Sequence, residues 1–257
     1  MDSSFGAVLK EWRGQRRMSQ LDLGLSSNVS ARHISFLETG RAQPSRSMVL
    51  QLCETLEIPR TARNVLLNAA GYAPAYRRRD LAGTDMEHVR AAVDWTLERH
   101  TPYPAMALDR HWTIVKANGA GQLLLSGAGL SEGDSLLVAL TDGERFAQAI
   151  ENWTEVAQHM VVRLRTESAH LGGDPVLDEA ANALSGVLSN IPHTPSAQPL
   201  PAIIPARYRA NCQILSFFST LAQFGTAEDI ALAELKIEMM FPADEQTRQA
   251  LVQMVDA

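Results

Sequence analysis

Apolar residues recur at helical spacing through residues 5–70, in five short runs separated by turn signals. FGAVLKEWRGQRR carries Phe5, Val8, Leu9 and Trp12 on one helical face. Ser19 is placed to cap a second helix, SQLDLGLSS, with Asp22 as its capping-box acid. Asn28-Val29 makes a tight turn, because Asn tolerates the left-handed conformation. Ser30 caps a third helix with Ile34 and Leu37 inward. TGRAQPSR is a loop punctuated by Gly40 and Pro44. SMVLQLCETLE forms a fourth helix that stops before Pro59, and TARNVLLNAA a fifth that Gly71 closes. The apolar frame of the second and third helices reads as Leu21, Leu25, Val29, Ile34 and Leu37.

The pattern changes after YAPAYRRRDLAGTD, residues 72–85, a linker candidate with a proline between alanines and three consecutive arginines. HVRAAVDWTLERH is one more amphipathic helix. AMALD and WTIVKAN read as two strands around a turn at Arg110-His111, followed by a helix from Gly119 to Leu125. EGDSLLVAL, a long ERFAQAIENWTEVAQHMVVRLRTESAH and DPVLDEAANALSGVL read as helices, and IPHTPSAQPLP as a loop. AIIPARY and NCQILSFFSTLAQF read as strands. ELKIEMMF alternates, with Leu235, Ile237, Met239 and Phe241 on one face. ADEQTRQALVQM ends the chain as a helix. The second half is thus an α+β domain with five strands. The expected division is 1–75 for the helical domain, 76–85 for the linker and 86–257 for the α+β domain.

Charge sharpens this division. The chain carries a net charge of −6, which by itself argues against a polyanion partner. Residues 1–80, however, hold 12 Lys and Arg against 7 Asp and Glu, a local +5, and the remainder carries −11. A basic head on an acidic body suggests nucleic acid as partner for the head alone. No apolar run is long enough for a membrane span, and the first residues lack the pattern of a secretory signal, so a cytoplasmic location without membrane contact is expected. Cys53 and Cys212 are the only cysteines, and neither sits in a paired metal-ligand motif, so no metal site is expected.

Residues 19–38 have the form of a helix-turn-helix: a short helix, a tight turn, then a capped helix whose start can enter the major groove. Ala31, Arg32 and His33 form the first turn of that recognition helix. Arg32 can bind a guanine edge with two parallel hydrogen bonds, or else a phosphate. His33 is either a DNA contact or solvated surface. Ala31 and Phe36 can meet thymine methyl groups, although Phe36 can instead pack on a neighbouring helix. Ser30 and Ser35 complete the recognition-helix set. Ser19 and Gln20 open the preceding helix, whose free backbone N–H groups suit a phosphate. Arg41 is a second phosphate candidate. Arg77, Arg78 and Arg79 either track a backbone or are solvated linker.

On Arg13, Ser19, Gln20, Val29, Ser30, Ile34, Leu37, Glu38, Gly40, Arg41 and Pro44, residues 5–70 resemble the XRE/Cro family of repressor helix-turn-helix domains. The resemblance implies a five-helix lambda-repressor-like fold. It implies that Gln20 touches the DNA backbone and braces the recognition helix. It also implies that Arg13 and Glu38 form a structural salt bridge. Asn28 stands where a glycine is common, and Ala31 where a longer polar side chain often reads a base.

LLNAAGYAPAYR, YPAMALDRHWTIVKANGA, LSFFSTLAQFGT and IEMMFPADEQT resemble MmyB-like regulators, whose second domain is PAS-like. That resemblance implies an open antiparallel sheet flanked by helices around an apolar ligand cavity, with a fatty-acid-like ligand. Trp112, Val115, Leu124, Phe217, Phe218 and Phe224 are the candidates for its lining, unless they simply fill a core. Asn118 can hold a ligand head group or cap the helix that begins at Gly119. Arg110 and His111 are turn residues first.

No Walker A, GxSxG or HExxH pattern is present, and no carboxylate pair suggests acid–base work. The expected function is a homodimeric regulator on a roughly palindromic double-stranded operator, with no enzyme activity and no cofactor beyond a possible bound ligand. The alternative is a second domain that serves as a ligand-free dimerisation or protein-interaction module.

Overall fold

The structure is a computed structural model that describes residues 4–189, 203–210, 213–225 and 227–255. Cys212 and the expected proline-rich loop lie outside the described residues. The chain divides into two compact units. One is built on the residues up to Arg78, with Glu167–Asp174 and Ala227–Ile230; the other holds the rest. The division at Arg78 falls inside the expected linker. Asn64 holds the start of that segment: its side chain accepts from the N–H groups of Ala75 and Tyr76 and donates to the Tyr76 carbonyl.

The first unit contains α1 (Phe5–Gln15), α2 (Gln20–Ser26), α3 (Ala31–Glu38), α4 (Arg46–Thr55) and α5 (Arg60–Ala69). Its core joins Leu9, Trp12, Leu23, Ile34, Leu37, Val49, Leu52, Leu56 and Leu67. The α2 phase differs from the expectation. Leu21 and Leu25 are 58% and 74% exposed, while Leu23 and Gly24 face inward. Leucine at 21, 23 and 25 leaves the phase open on hydrophobicity alone. Gly24 settles it, because a Cβ there would lie 2.5 Å from the Val29 carbonyl oxygen. The helices approach over that position, and only glycine fits.

The second unit opens with a short 3-10 turn at Thr84–Met86 and α6 (Glu87–Arg99). Strands β1 (Ala105–Leu108) and β2 (Ile114–Ala117) follow, then α7 (Gly119–Gly127), α8 (Leu136–Thr141), α9 (Gly143–Ala149), α10 (Trp153–Leu171) and α11 (Pro175–Ser189). The chain ends with β3 (Ala206–Ala210), β4 (Gln213–Gln223), α12 (Ile230–Ala233), β5 (Lys236–Pro242) and α13 (Glu245–Val255). The five strands form one sheet in the order β2-β1-β5-β4-β3, with every pairing antiparallel. This is the α+β domain that the alternating segments predict.

The single long helix expected over 144–170 is two helices, α9 and α10. The break has a cause in the sheet. Glu151 donates its N–H to the Arg207 carbonyl at 2.7 Å. The Asn152 side chain accepts from Arg207 N–H at 2.9 Å and donates to the Pro205 carbonyl at 2.8 Å. The chain leaves helical geometry there to hold β3. The EGDSLLVAL helix is also shorter than expected, beginning only at Leu136.

The sheet has two different faces. On one, Ala105, Ala107, Ile237 and Leu235 pack with Val93 and Leu97 of α6. The other carries Met106, Glu238, Met240, Ser219, Phe217 and Tyr208, as the strand register requires. So β5 does not alternate apolar-in and polar-out. Even Lys236 is buried.

Candidate nucleic-acid interface and ligand cavity

Local hydrogen bonding fixes the helix-turn-helix geometry. Ser19 Oγ accepts from Asp22 N–H at 3.1 Å, and the Asp22 carboxylate accepts from Ser19 N–H at 2.9 Å. That is the capping box read in the sequence. The Ser19 hydroxyl also donates to Asp22 at 2.6 Å. Asn28 takes a φ of +52°, as the turn requires. Ser30 caps α3 by accepting from His33 N–H at 3.2 Å.

Beneath α3, Arg13 grips Glu38 with two nitrogens, at 2.6 and 3.0 Å, and donates to the Met18 carbonyl at 2.8 Å. Gln20 donates to the same carboxylate at 2.7 Å. Burial pushes the Glu38 carboxyl up, but the hydrogen bonds from Arg13 and Gln20 and the charges of Arg13 and Lys10 outweigh it. The carboxyl is held below its usual value. Gln20 therefore braces the recognition helix through its side chain.

The arginines up to Arg63 fall into two groups. Arg13, Arg16, Arg60 and Arg63 donate to carbonyls or carboxylates of their own unit. The guanidinium groups of Arg17, Arg32, Arg41 and Arg46 make no hydrogen bond or ion pair with any described residue. Arg32 is exposed in the first turn of α3, with its guanidinium carbon 5.2 Å from the centre of the half-buried Phe36 ring. Ile34 and Leu37 point the other way, into the core. Ala31, Arg32, His33, Ser35 and Phe36 thus lie off the buried face, as expected. The sequence reading missed Arg17 and Arg46. The signal for Arg46 is its place directly after Ser45, the cap of α4.

In the second unit, two apolar chambers share the residues Leu124, Ala128, Tyr208 and Phe217. One has a volume of about 220 Å³ and lies between the sheet and residues of α7–α10. The other, about 870 Å³, is bordered by Pro102, Pro104, Leu123, Leu215 and Leu251. The larger volume falls within the ~300–1,000 Å³ of ordinary small-molecule sites.

Of the expected lining, Trp112, Leu124 and Phe217 border a chamber. Phe218 reaches the smaller chamber, but its ring stacks on Phe241 with centres 5.6 Å apart. Val115, Asn118 and Phe224 border neither. Val115 is 38% exposed on β2. Phe224 packs with the α6 side of the sheet. The Asn118 side chain is consumed by the backbone: Oδ1 accepts from Gly121 and Ala105 N–H groups, and Nδ2 donates to the Leu97 and Tyr103 carbonyls. It caps α7 and ties it to the sheet, leaving nothing to hold a head group.

The smaller chamber has a polar end. Trp112 stands there with a φ of +62°, a costly conformation for a bulky residue. Asp109 holds the turn by accepting from the His111 and Thr113 N–H groups, both at 2.8 Å. Over the Trp112 ring lie Arg163, at 4.2 Å, and Lys236, at 4.7 Å. Arg163 faces Glu238 at 3.5 Å. Tyr208 completes this polar set; burial, and then the charge of Glu238, push its phenol well above the usual tyrosine range. It stands as a neutral hydroxyl in the wall.

The family model described as MmyB-like transcription regulator ligand binding domain matches residues 89–254. The chain belongs to the MmyB-like transcription regulators. A helix-turn-helix domain model matches residues 4–66. No curated relative matches the chain. The MmyB-like domain accounts for the sheet and its chambers, and the helix-turn-helix for the exposed arginines. This regulator therefore joins a DNA-binding domain to a ligand-binding domain. No helix among its described residues is long and apolar enough to cross a membrane.

Proposed function

We propose that this MmyB-like regulator binds a specific operator as a homodimer and that an apolar small molecule in its second domain controls that binding. The pair of chambers walled by Leu124, Ala128, Tyr208 and Phe217 supports the sensor half of this reading. Their apolar walls with a polar end at Trp112, Arg163 and Glu238 suit an amphiphile, and the family resemblance suggests one that is fatty-acid-like. The chain acts by binding and carries out no chemistry of its own. As a regulator that acts on DNA, it works in the cytoplasm.

In the dimer, two recognition helices would sit about 34 Å apart, one DNA turn, which fits a palindromic site. Arg32 reads base edges. Arg17, Arg41 and Arg46 neutralise phosphates. Ligand shifts the population between dimer geometries that fit or miss the half-site spacing.

Native mass spectrometry of the purified full chain tests the sensor reading. A co-purified apolar molecule that delipidation removes is the expected result. Repeatedly empty spectra, with no change in operator affinity after incubation with lipid extracts, would instead make the second domain a ligand-free dimerisation module.

A further inference from the structure

Arg32 and Phe36 are four residues apart on α3, so they stand on the same face, one turn from each other. The Arg32 guanidinium lies 5.2 Å from the centre of the Phe36 ring. It has no carboxylate or carbonyl partner among the described residues, unlike Arg13, Arg16 and Arg63. The aromatic ring is what orients it. The Phe36 backbone is anchored at the helix end, where its carbonyl accepts from Arg41 N–H at 2.8 Å and from Ala42 N–H at 3.2 Å, and its ring is half-buried. The arginine is thus presented as a planar donor fork backed by an apolar surface.

We propose that Arg32 and Phe36 act as one composite reader of adjacent base pairs, taking a guanine with a thymine beside it. The inference rests on the DNA-binding reading above. The chemistry follows from the groove. A guanidinium fork matches the O6 and N7 acceptors of guanine, and an aromatic surface suits the thymine C5-methyl. Contact between fork and ring favours neighbours. Base pairs are stacked about 3.4 Å apart, so two side chains that stay packed on each other, 5.2 Å apart, can meet adjoining steps without separating. Ala31 adds a small apolar contact on the same turn. Phe36 is then a positioning residue for Arg32 as well as a contact in its own right.

The probe is a random duplex library selected by the full-length protein, followed by affinity measurements on the enriched duplex at fixed salt. The enriched half-site should hold a guanine next to a thymine. Replacing that thymine by deoxyuridine removes only the methyl group and should weaken binding roughly fourfold, the worth of one buried methyl. Replacing the guanine by 7-deazaguanine should weaken binding about tenfold, and Arg32→Ala should do so by a similar factor. In Phe36→Ala the deoxyuridine penalty should vanish and the arginine-dependent preference for guanine should fall. Phe36→Tyr keeps the ring and should keep both, which separates recognition from folding. An enriched site without the guanine–thymine neighbours, or an equal deoxyuridine penalty in wild type and Phe36→Ala, overturns the composite reader alone. A selection that enriches no sequence overturns specific DNA reading, and this inference with it.

Discussion

In the N-terminal helices Leu9, Leu23, Ile34 and Leu67 are fully shielded from solvent within one apolar cluster. In the α+β domain Leu124, Tyr208 and Phe217 border open volume instead. In the proposed function the first region works on its outside, through arginines that its own residues do not use. The second works inside, through space that its residues leave. The contrast extends to backbone strain. Asn28 takes a left-handed conformation that its residue type tolerates, whereas Trp112 does so at a cost of about 1–3 kcal/mol. Strain at Asn28 serves a turn; strain at Trp112 sets an indole against Arg163 of the chamber wall and the buried Lys236.

Substitutions can break this comparison in order of size. Leu37→Ala empties part of a filled core and should cost about 2–5 kcal/mol in thermal or denaturant unfolding. Gly24→Ala adds a methyl against the Val29 carbonyl and should cost about 1–3 kcal/mol, with loss of DNA binding. A neutral result would mean that the two helices are not held as close as the structure has them. In the chambered domain, Ala128→Leu adds more atoms yet enters open space between the chambers. It should change stability by less than about 1 kcal/mol while reducing ligand uptake. If it destabilises as Gly24→Ala does, the second interior is as filled as the first.

Glu38 gives a pH test. Its folded carboxyl lies below its unfolded value, so its contribution is present above the unfolded range, near pH ~4.3, and is lost as pH falls through the folded value. Glu38→Gln should therefore destabilise by about 1–3 kcal/mol at neutral pH, and the gap from wild type should close in acid. A gap that stays constant with pH would show that packing, not the ion pair, holds the recognition helix. The smallest effect is expected at Cys53, whose thiol burial pushes up to about 12. In a Cys212→Ser background, native protein should not react with a thiol reagent at pH ~8, where ordinary thiols are partly ionised.

The sequence signals and the structure agree most closely where a residue's own chemistry sets the local geometry. Ser19, Asp22, Asn28 and Ser30 act on neighbours within three positions, so capping and turn rules find them. The agreement fails where a distant segment decides. Leucines at 21, 23 and 25 satisfy two helical phases, and only the approach over Gly24 chooses one. Residues 150–152 read as helix until β3 docks on them. Val115 and Phe224 look like cavity residues because a strand's alternation reveals that there are two faces, not which one is left open. Asn118 reads as head-group holder or cap, and four backbone partners make it a cap. Arg17 and Arg46 became visible as free cations only once Arg13, Arg16 and Arg63 were seen to be occupied.

The proposed control of operator binding by a ligand in the second domain joins the two regions. The most direct measurement is the affinity of the delipidated full-length protein for its selected operator, at one salt concentration, with and without a saturating medium-chain fatty acid. The account predicts at least an approximately fivefold change in affinity, the lower end of ordinary allosteric coupling, and its loss in Ala128→Leu. An amphiphile that binds the protein yet leaves operator affinity unchanged would contradict it.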